Sequence, residues 1–132
     1  MHRGIMMAGS LIAAFAVALG AFGAHALKQK MSVEDLSVYQ TGVQYHFYHV
    51  LAIFITAFLW GKFYRPAILW TSRLFTAGIV LFSGSLYTMS YLKAFNGADI
   101  KWLGAITPIG GVCFISGWLL LGWTVNKGKV VS

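Results

Sequence analysis

The chain has 132 residues, of which 58% are hydrophobic and 10% charged, whereas soluble globular domains average about 25% charged and 45–50% apolar. That balance excludes a water-soluble fold and leaves a membrane protein of one domain, residues 1–132. The formal net charge of +7 does not indicate nucleic acid, because the ten basic residues are scattered between apolar runs instead of lining one soluble face.

Four runs without formal charge follow one another: Gly4–Leu27, Leu36–Gly61, Leu74–Leu92 and Trp102–Asn126. Each holds the roughly 20 apolar residues that a hydrocarbon core of about 30 Å requires of a helix. Water cannot satisfy backbone groups at that depth, so runs of this length become helices. The predicted fold is all-α, a four-helix transmembrane bundle with spans near 4–27, 40–61, 74–92 and 104–126. An even number of spans puts both termini on one side. That side collects Arg3, Lys62, Arg65, Arg73, Lys127 and Lys129 without an acid, while Lys28, Lys30, Lys93 and Lys101 share the other with Glu34, Asp35 and Asp99. The excess of basic residues makes the termini cytoplasmic.

In the first run, "AHA" at Ala24–Ala26 has the small-x-small form of a signal cleavage site and Arg3 could serve as a minimal basic flank. The run is longer than the 7–15 residues of a usual signal core, which favours a retained span. Ala16, Gly20 and Ala24 recur at spacing four, and with Gly23 they offer a surface for close helix approach.

The second helix has a start signal in "SVED", where Ser32 fits the N-cap of a capping box. A helix from Val33 to Gly61 exceeds the core, so its first turns must project, lie on the surface or bend near Thr41–Gly42. His46 and His49 stand three apart on it, on a stripe with Gly42, Ile53, Thr56 and Trp60. Pro66 suits the first residue of the third helix, where its missing N–H is no loss, and Arg73 is placed to snorkel towards the terminus side. "FSGSLY" contributes Gly84, Ser85 and Tyr87, and its serines lack the spacing of a nucleophile elbow.

"FNGAD" is the turn before the fourth helix. Pro108 leaves two options there: a helix from Trp102 bent at the proline, or a shorter one capped by Thr107 with "KWLGAI" as irregular backbone. Gly110 and Gly111 of "TPIGG" read as a tightly packed bend. Cys113, the only cysteine, forms no internal disulfide. Tyr39, Tyr45, Tyr91 and Trp102 are expected in an outer aromatic belt, and Trp60, Tyr64, Trp70 and Trp123 in an inner one.

Polar residues of all four helices reach the same outer-half depth. His46 and His49 fall roughly 5 to 13 Å below the outer surface, His25 ends the first helix, Ser85 and Tyr87 rise on the third, and Thr107 descends on the fourth. Polar side chains avoid lipid, so His25, His46, His49, Ser85, Tyr87 and Thr107 are expected to form one cluster, while Gly20, Gly23, Gly84, Pro108, Gly110 and Gly111 pack or bend the helices. The first reading of the cluster is interhelical hydrogen bonding in a non-enzymatic, structural or accessory membrane component, without catalytic residue or cofactor. The alternative is a haem, metal or quinone module, since neutral imidazoles bind transition metals and haem iron. Histidines three apart on one helix cannot occupy both axial positions of one haem, so His25 would have to join them. Third stands passage of a proton or small solute, although no span contains Asp or Glu. The expected partners are the lipid bilayer, a second copy or a larger membrane complex, and not nucleic acid.

Together "GAFGAHAL", "TGVQYHFYH", "LFSGSLY" and "AITPIGG" resemble the small bacterial inner-membrane family termed domain of unknown function 423, similar to eukaryotic proteins called transmembrane protein 256. The likeness runs from about Gly9 to Trp118. It implies a helical protein of the bacterial inner membrane with about four spans. It marks Gly20, Gly23, His25, Gly42, Tyr45, His49, Ser83, Gly84, Ser85, Tyr87, Pro108 and Gly110 as matched positions and attaches no chemistry to them.

Overall fold

Apolar runs that must satisfy their own backbone form helices in the computed structural model, which describes residues 1–128. Four are long and apolar enough to cross a membrane: α1, Arg3–Leu27; α2, Val33–Leu59; α3, Arg65–Asn96; and α4, Lys101–Lys127. The described residues contain no strand. Lys129, counted above on the terminus side, lies outside them.

The N-terminus is fastened to the end of α2. His2 caps α1 by accepting the Ile5 N–H on Nδ1 at 3.0 Å, donates its own backbone N–H to the Ala57 carbonyl at 2.9 Å, and sets its ring edge-on to Trp60. The start of α1 therefore lies beside the end of α2, and the two run antiparallel. α2 opens with Ser32 as its N-cap, as expected, Oγ accepting the Asp35 N–H at 3.1 Å; the Asp35 carboxylate closes the motif on the Ser32 hydroxyl at 2.8 Å and not on its backbone N–H as in a full capping box. It continues as one helix through Thr41 and Gly42, so projection or tilt, not a break, takes up its excess length.

α3 is longer than the expected span 74–92. It has 32 residues, roughly 48 Å of helix, and Pro66 lies in its first turn. Charge marked the ends of the uncharged run without marking the ends of the helix, because Arg73 and Lys93 are long enough to carry their charges away from hydrocarbon while their backbone stays helical. Between Gly78 and Gly84 the hydrogen-bond ladder widens to a π turn, Ile79–Ser83, and a second π turn, Gly23–Leu27, closes α1. α3 stops at Gly97, whose φ of 62° is open to glycine at little strain. There the N–H groups of Gly97 and Ala98 take up the carbonyls of Lys93 and Leu92.

α4 resolves the question at Pro108 in favour of the longer helix: "KWLGAI" is helical and the proline sits inside. An interior proline costs about 3 kcal/mol. Leaving several peptide groups of Lys101–Ile106 unpaired in the membrane would cost several kcal/mol for each, so the continuous helix wins.

α1 packs on α2, α2 on α3, and α3 on α4, with α2 and α3 the more enclosed pair. The core in the terminus half gathers Ile5, Val50, Ile53, Ala57, Ile68, Phe75, Ile79, Phe114 and Leu121. The half far from the termini, the distal half, holds Ser83, Ser85 and Ser90 among the buried polar groups, and the terminus half holds Thr56, Thr71, Ser72 and Thr124.

Candidate functional site: the distal polar level

His46 and His49 both face protein, each 4% exposed. Three residues advance an α-helix by about 300°, so their rings diverge by roughly 60° around the axis. That divergence sends them to different neighbours. His46 turns between α1 and α3, with Nε2 at 3.1 Å from the Ile12 carbonyl and Nδ1 at 3.0 Å from the Tyr87 hydroxyl. A carbonyl only accepts, so the proton lies on Nε2 and the tyrosine donates to Nδ1. His49 turns to α4, where its Nε2 accepts the indole N–H of Trp118 at 3.2 Å and its Nδ1–H donates to the Tyr45 carbonyl at 2.7 Å. Its ring also lies flat on Phe114, centroids 3.4 Å apart and planes within 9°.

The two histidines thus hold opposite neutral tautomers. Every ring nitrogen of His46 and His49 has a protein partner, and neither of these imidazoles keeps a lone pair free for a metal or a haem iron. Among the described residues no three His, Cys, Asp or Glu side chains come together at metal-binding distance.

The other polar residues extend the same fastening. Ser85 gives its proton to the Phe82 carbonyl at 2.8 Å, so at the 2.6 Å contact between hydroxyls Thr107 is the donor. Ser83 donates to the Gly42 carbonyl at 2.7 Å, joining α3 to α2. Tyr39, expected in the outer aromatic belt, is instead buried and donates to the Leu19 carbonyl at 2.6 Å, joining α2 to α1. Each helix is tied to its neighbours at this level, and His49 with Trp118 ties α2 to α4 as well. Among the described residues no buried side-chain nitrogen or oxygen lacks a partner, which is what a bilayer interior demands. At the distal rim Lys93 pairs with Asp35 at 2.6 Å.

One cluster of six was expected, and the structure divides it. His46 pairs with Tyr87, Ser85 with Thr107, and His49 with Trp118; His25, in the π turn that closes α1, is exposed and joins none of them. Along α4 the partners Thr107 and Trp118 stand eleven residues apart, roughly 16 Å, so the contacts are separated along the helices as well as around them. The packing residues divide too. A side-chain carbon at Gly23 would collide with the Tyr39 ring, and one at Gly110 with the backbone nitrogen of Phe82. Gly20, Gly111 and Gly84, the last just after the π turn, have only ordinary contacts. Gly78 and Gly117, which were not singled out, accept the rings of Phe114 and Phe75. Trp118, Phe114 and the carbonyls of Ile12, Leu19 and Gly42 were also missed. A backbone carbonyl carries no sequence signal. Ser83 and Tyr39 did carry one, as hydroxyls inside apolar runs.

A groove of about 270 Å³ opens beside this level between α1 and α3, lined by Leu19, Phe22, Leu27, Tyr39, Tyr87, Thr88, Tyr91 and Leu92. The hydroxyls of Tyr39 and Tyr87 are directed to protein acceptors, so its wall is largely apolar.

Four membrane-length helices whose buried polar groups are spent on one another define a small multi-pass membrane protein. The chain belongs to the family described as "Protein of unknown function (DUF423)", which matches residues 19–111. It is 49% identical over 114 residues to the UPF0382 membrane protein YwdK of Bacillus subtilis, covering 86% of this chain and 88% of the relative. Against the UPF0382 membrane protein SAB0533 of Staphylococcus aureus the identity is 45%, covering 86% and 87%. Against the UPF0382 inner membrane protein YgdD of Escherichia coli it is 38%, covering 88% and 86%. No solved structure matches the chain. The family read from four short motifs is the family the chain belongs to.

Proposed function

We propose that the protein is a non-enzymatic structural or accessory component of the bacterial inner membrane, with both termini cytoplasmic, that acts by association with a larger complex or with further copies of itself. The observation that carries this reading is the engagement of all the ring nitrogens of His46 and His49 by groups of the same chain. Side chains used in this way hold helices in register and do not present a ligand set. Large apolar residues such as Phe15 on α1 and Trp118, Leu119 and Trp123 on α4 remain exposed, which gives lipid or a partner helix a broad face to meet. The basic bias of the terminus side supports the orientation.

The test is an optical spectrum with metal analysis on protein purified gently from its native membrane, wild type beside His49→Ala, followed by cross-linking in the membrane. The expected result is colourless, metal-free protein in both cases and a defined cross-linked species. A Soret band or stoichiometric metal that disappears in His49→Ala would replace this reading with a cofactor module. Proton flux into sealed vesicles above that of empty ones would replace it with a transporter. A reporter active only in the cytoplasm should work when fused to the C-terminus; activity from a periplasmic reporter alone would invert the orientation.

A further inference from the structure

Arg73 stands apart from the histidine level and forms no ion pair among the described residues. Its side chain is exposed on α3, with the guanidinium 5.2 Å from the centre of the Trp70 ring. The sequence has three acidic residues, Glu34, Asp35 and Asp99, and all lie at the distal ends of the helices. The ion pair among the described residues, Lys93 with Asp35, is at that distal end as well. Lys93 stands twenty residues beyond Arg73 on the same helix, roughly 30 Å at the usual rise, which is the thickness of the hydrocarbon core. With Lys93 at one surface, Arg73 meets the other at the level of the lipid phosphates, and Trp70 beside it has the chemistry of an interfacial anchor.

The surface next to Arg73 is shaped as well as charged. Ser72, Arg73, Thr76, Ala77, Val80 and Leu81 line an open groove of about 490 Å³ on α3. From Arg73 it runs eight residues, roughly 12 Å, towards the membrane centre, and it changes from cationic and hydroxylated at one end to apolar at the other. The Thr76 hydroxyl donates to the Ser72 carbonyl, which leaves the guanidinium as the charged donor at the mouth. Guanidinium binds phosphate through paired N–H donors.

We propose that this groove is a binding site for one anionic phospholipid of the terminus-side leaflet, its phosphate on Arg73 and an acyl chain along Ala77, Val80 and Leu81. A lipid matches both ends of the groove at once, since its phosphate replaces the missing acid and its chain covers the apolar floor.

The test is native mass spectrometry of detergent-purified full-length protein titrated with phosphatidylglycerol or phosphatidylcholine, comparing wild type with R73Q, A77W and R65Q. Wild type should bind phosphatidylglycerol about tenfold more tightly than phosphatidylcholine, the scale of one charge-assisted contact. R73Q should lose that preference. A77W should weaken binding of both lipids with the charge intact, and R65Q, an exposed arginine outside the groove, should behave as wild type. Unchanged phosphatidylglycerol binding in R73Q would overturn the site, as would an equal loss in R65Q, which would make the preference a general effect of net charge. Displacement of the lipid by millimolar inorganic phosphate, with A77W indifferent, would overturn the lipid in favour of a free anion.

Discussion

The bond between His46 and Tyr87 allows a prediction in which the pair and the single changes differ in kind. Each residue can be replaced by Phe, which keeps a ring of similar size in place. Tyr87→Phe strands Nδ1 of His46, because the proton is already committed to the Ile12 carbonyl at Nε2. His46→Phe strands the Tyr87 hydroxyl but not Ile12, whose carbonyl lies inside α1 and keeps its helical partner. An orphaned buried polar group costs about 1–3 kcal/mol, whereas an interhelical hydrogen bond in a membrane contributes on average about 0.6 and at most about 1.7 kcal/mol. Each single variant should therefore lose about 1–2 kcal/mol. The double variant, with no orphan left, should lose less than the sum by about 0.6–1.7 kcal/mol, a factor of roughly 3 to 18 in the folding constant. The assay is reversible unfolding in mixed micelles titrated with sodium dodecyl sulfate, for wild type, both single variants and the double. Strict additivity would refute the geometry, since it would mean that the two side chains do not share a bond.

Four further outcomes follow from the same packing. Gly110→Ala should destabilise by about 2–3 kcal/mol, because the new methyl meets backbone of Phe82 that cannot rotate away. Gly111→Ala, one residue on with room to spare, should be neutral or stabilising by up to about 1 kcal/mol, and the same unfolding titration reads both signs. Ser83→Ala should cost about 0.6 kcal/mol, since the Gly42 carbonyl keeps its bond within α2; a loss several times larger would give Ser83 a further role. His25→Ala should change stability by no more than about 0.5 kcal/mol, and a larger loss would place that ring in contacts its exposure denies.

Much of the frame was legible because length, absence of charge and end signals are local properties. Ser32 and Asp35 form the cap that their spacing announced, and Pro66 lies in the first turn it favours. Charge misjudged α3, because a residue such as Arg73 keeps its backbone inside the helix while its side chain reaches out. At the polar level, depth could be counted along each helix, and it placed Ser85 opposite Thr107 and Tyr87 near His46. Direction around the axis could not be counted across helices. The roughly 60° between His46 and His49 separates two residues that looked like one pair, and the partners that complete them, the Ile12 carbonyl and the Trp118 indole, belong to runs that read as apolar. Pro108 shows the reverse case, where a local breaker yields to the backbone requirements of the membrane.

The π turn at Ile79–Ser83 has a genetic consequence. It stores one residue more than an α-helical turn would hold, so the two halves of α3 are out of phase by about 100°. Deleting a single codon within it would close the turn to a regular helix and leave the distal half facing as before, Tyr87 on His46 and Ser85 on Thr107, whereas the same deletion in a regular helix would turn everything beyond it by about 100°. A relative with a one-residue gap inside this turn should thus keep the same distal pairs, while a gap elsewhere in α3 would signal a differently wired distal half.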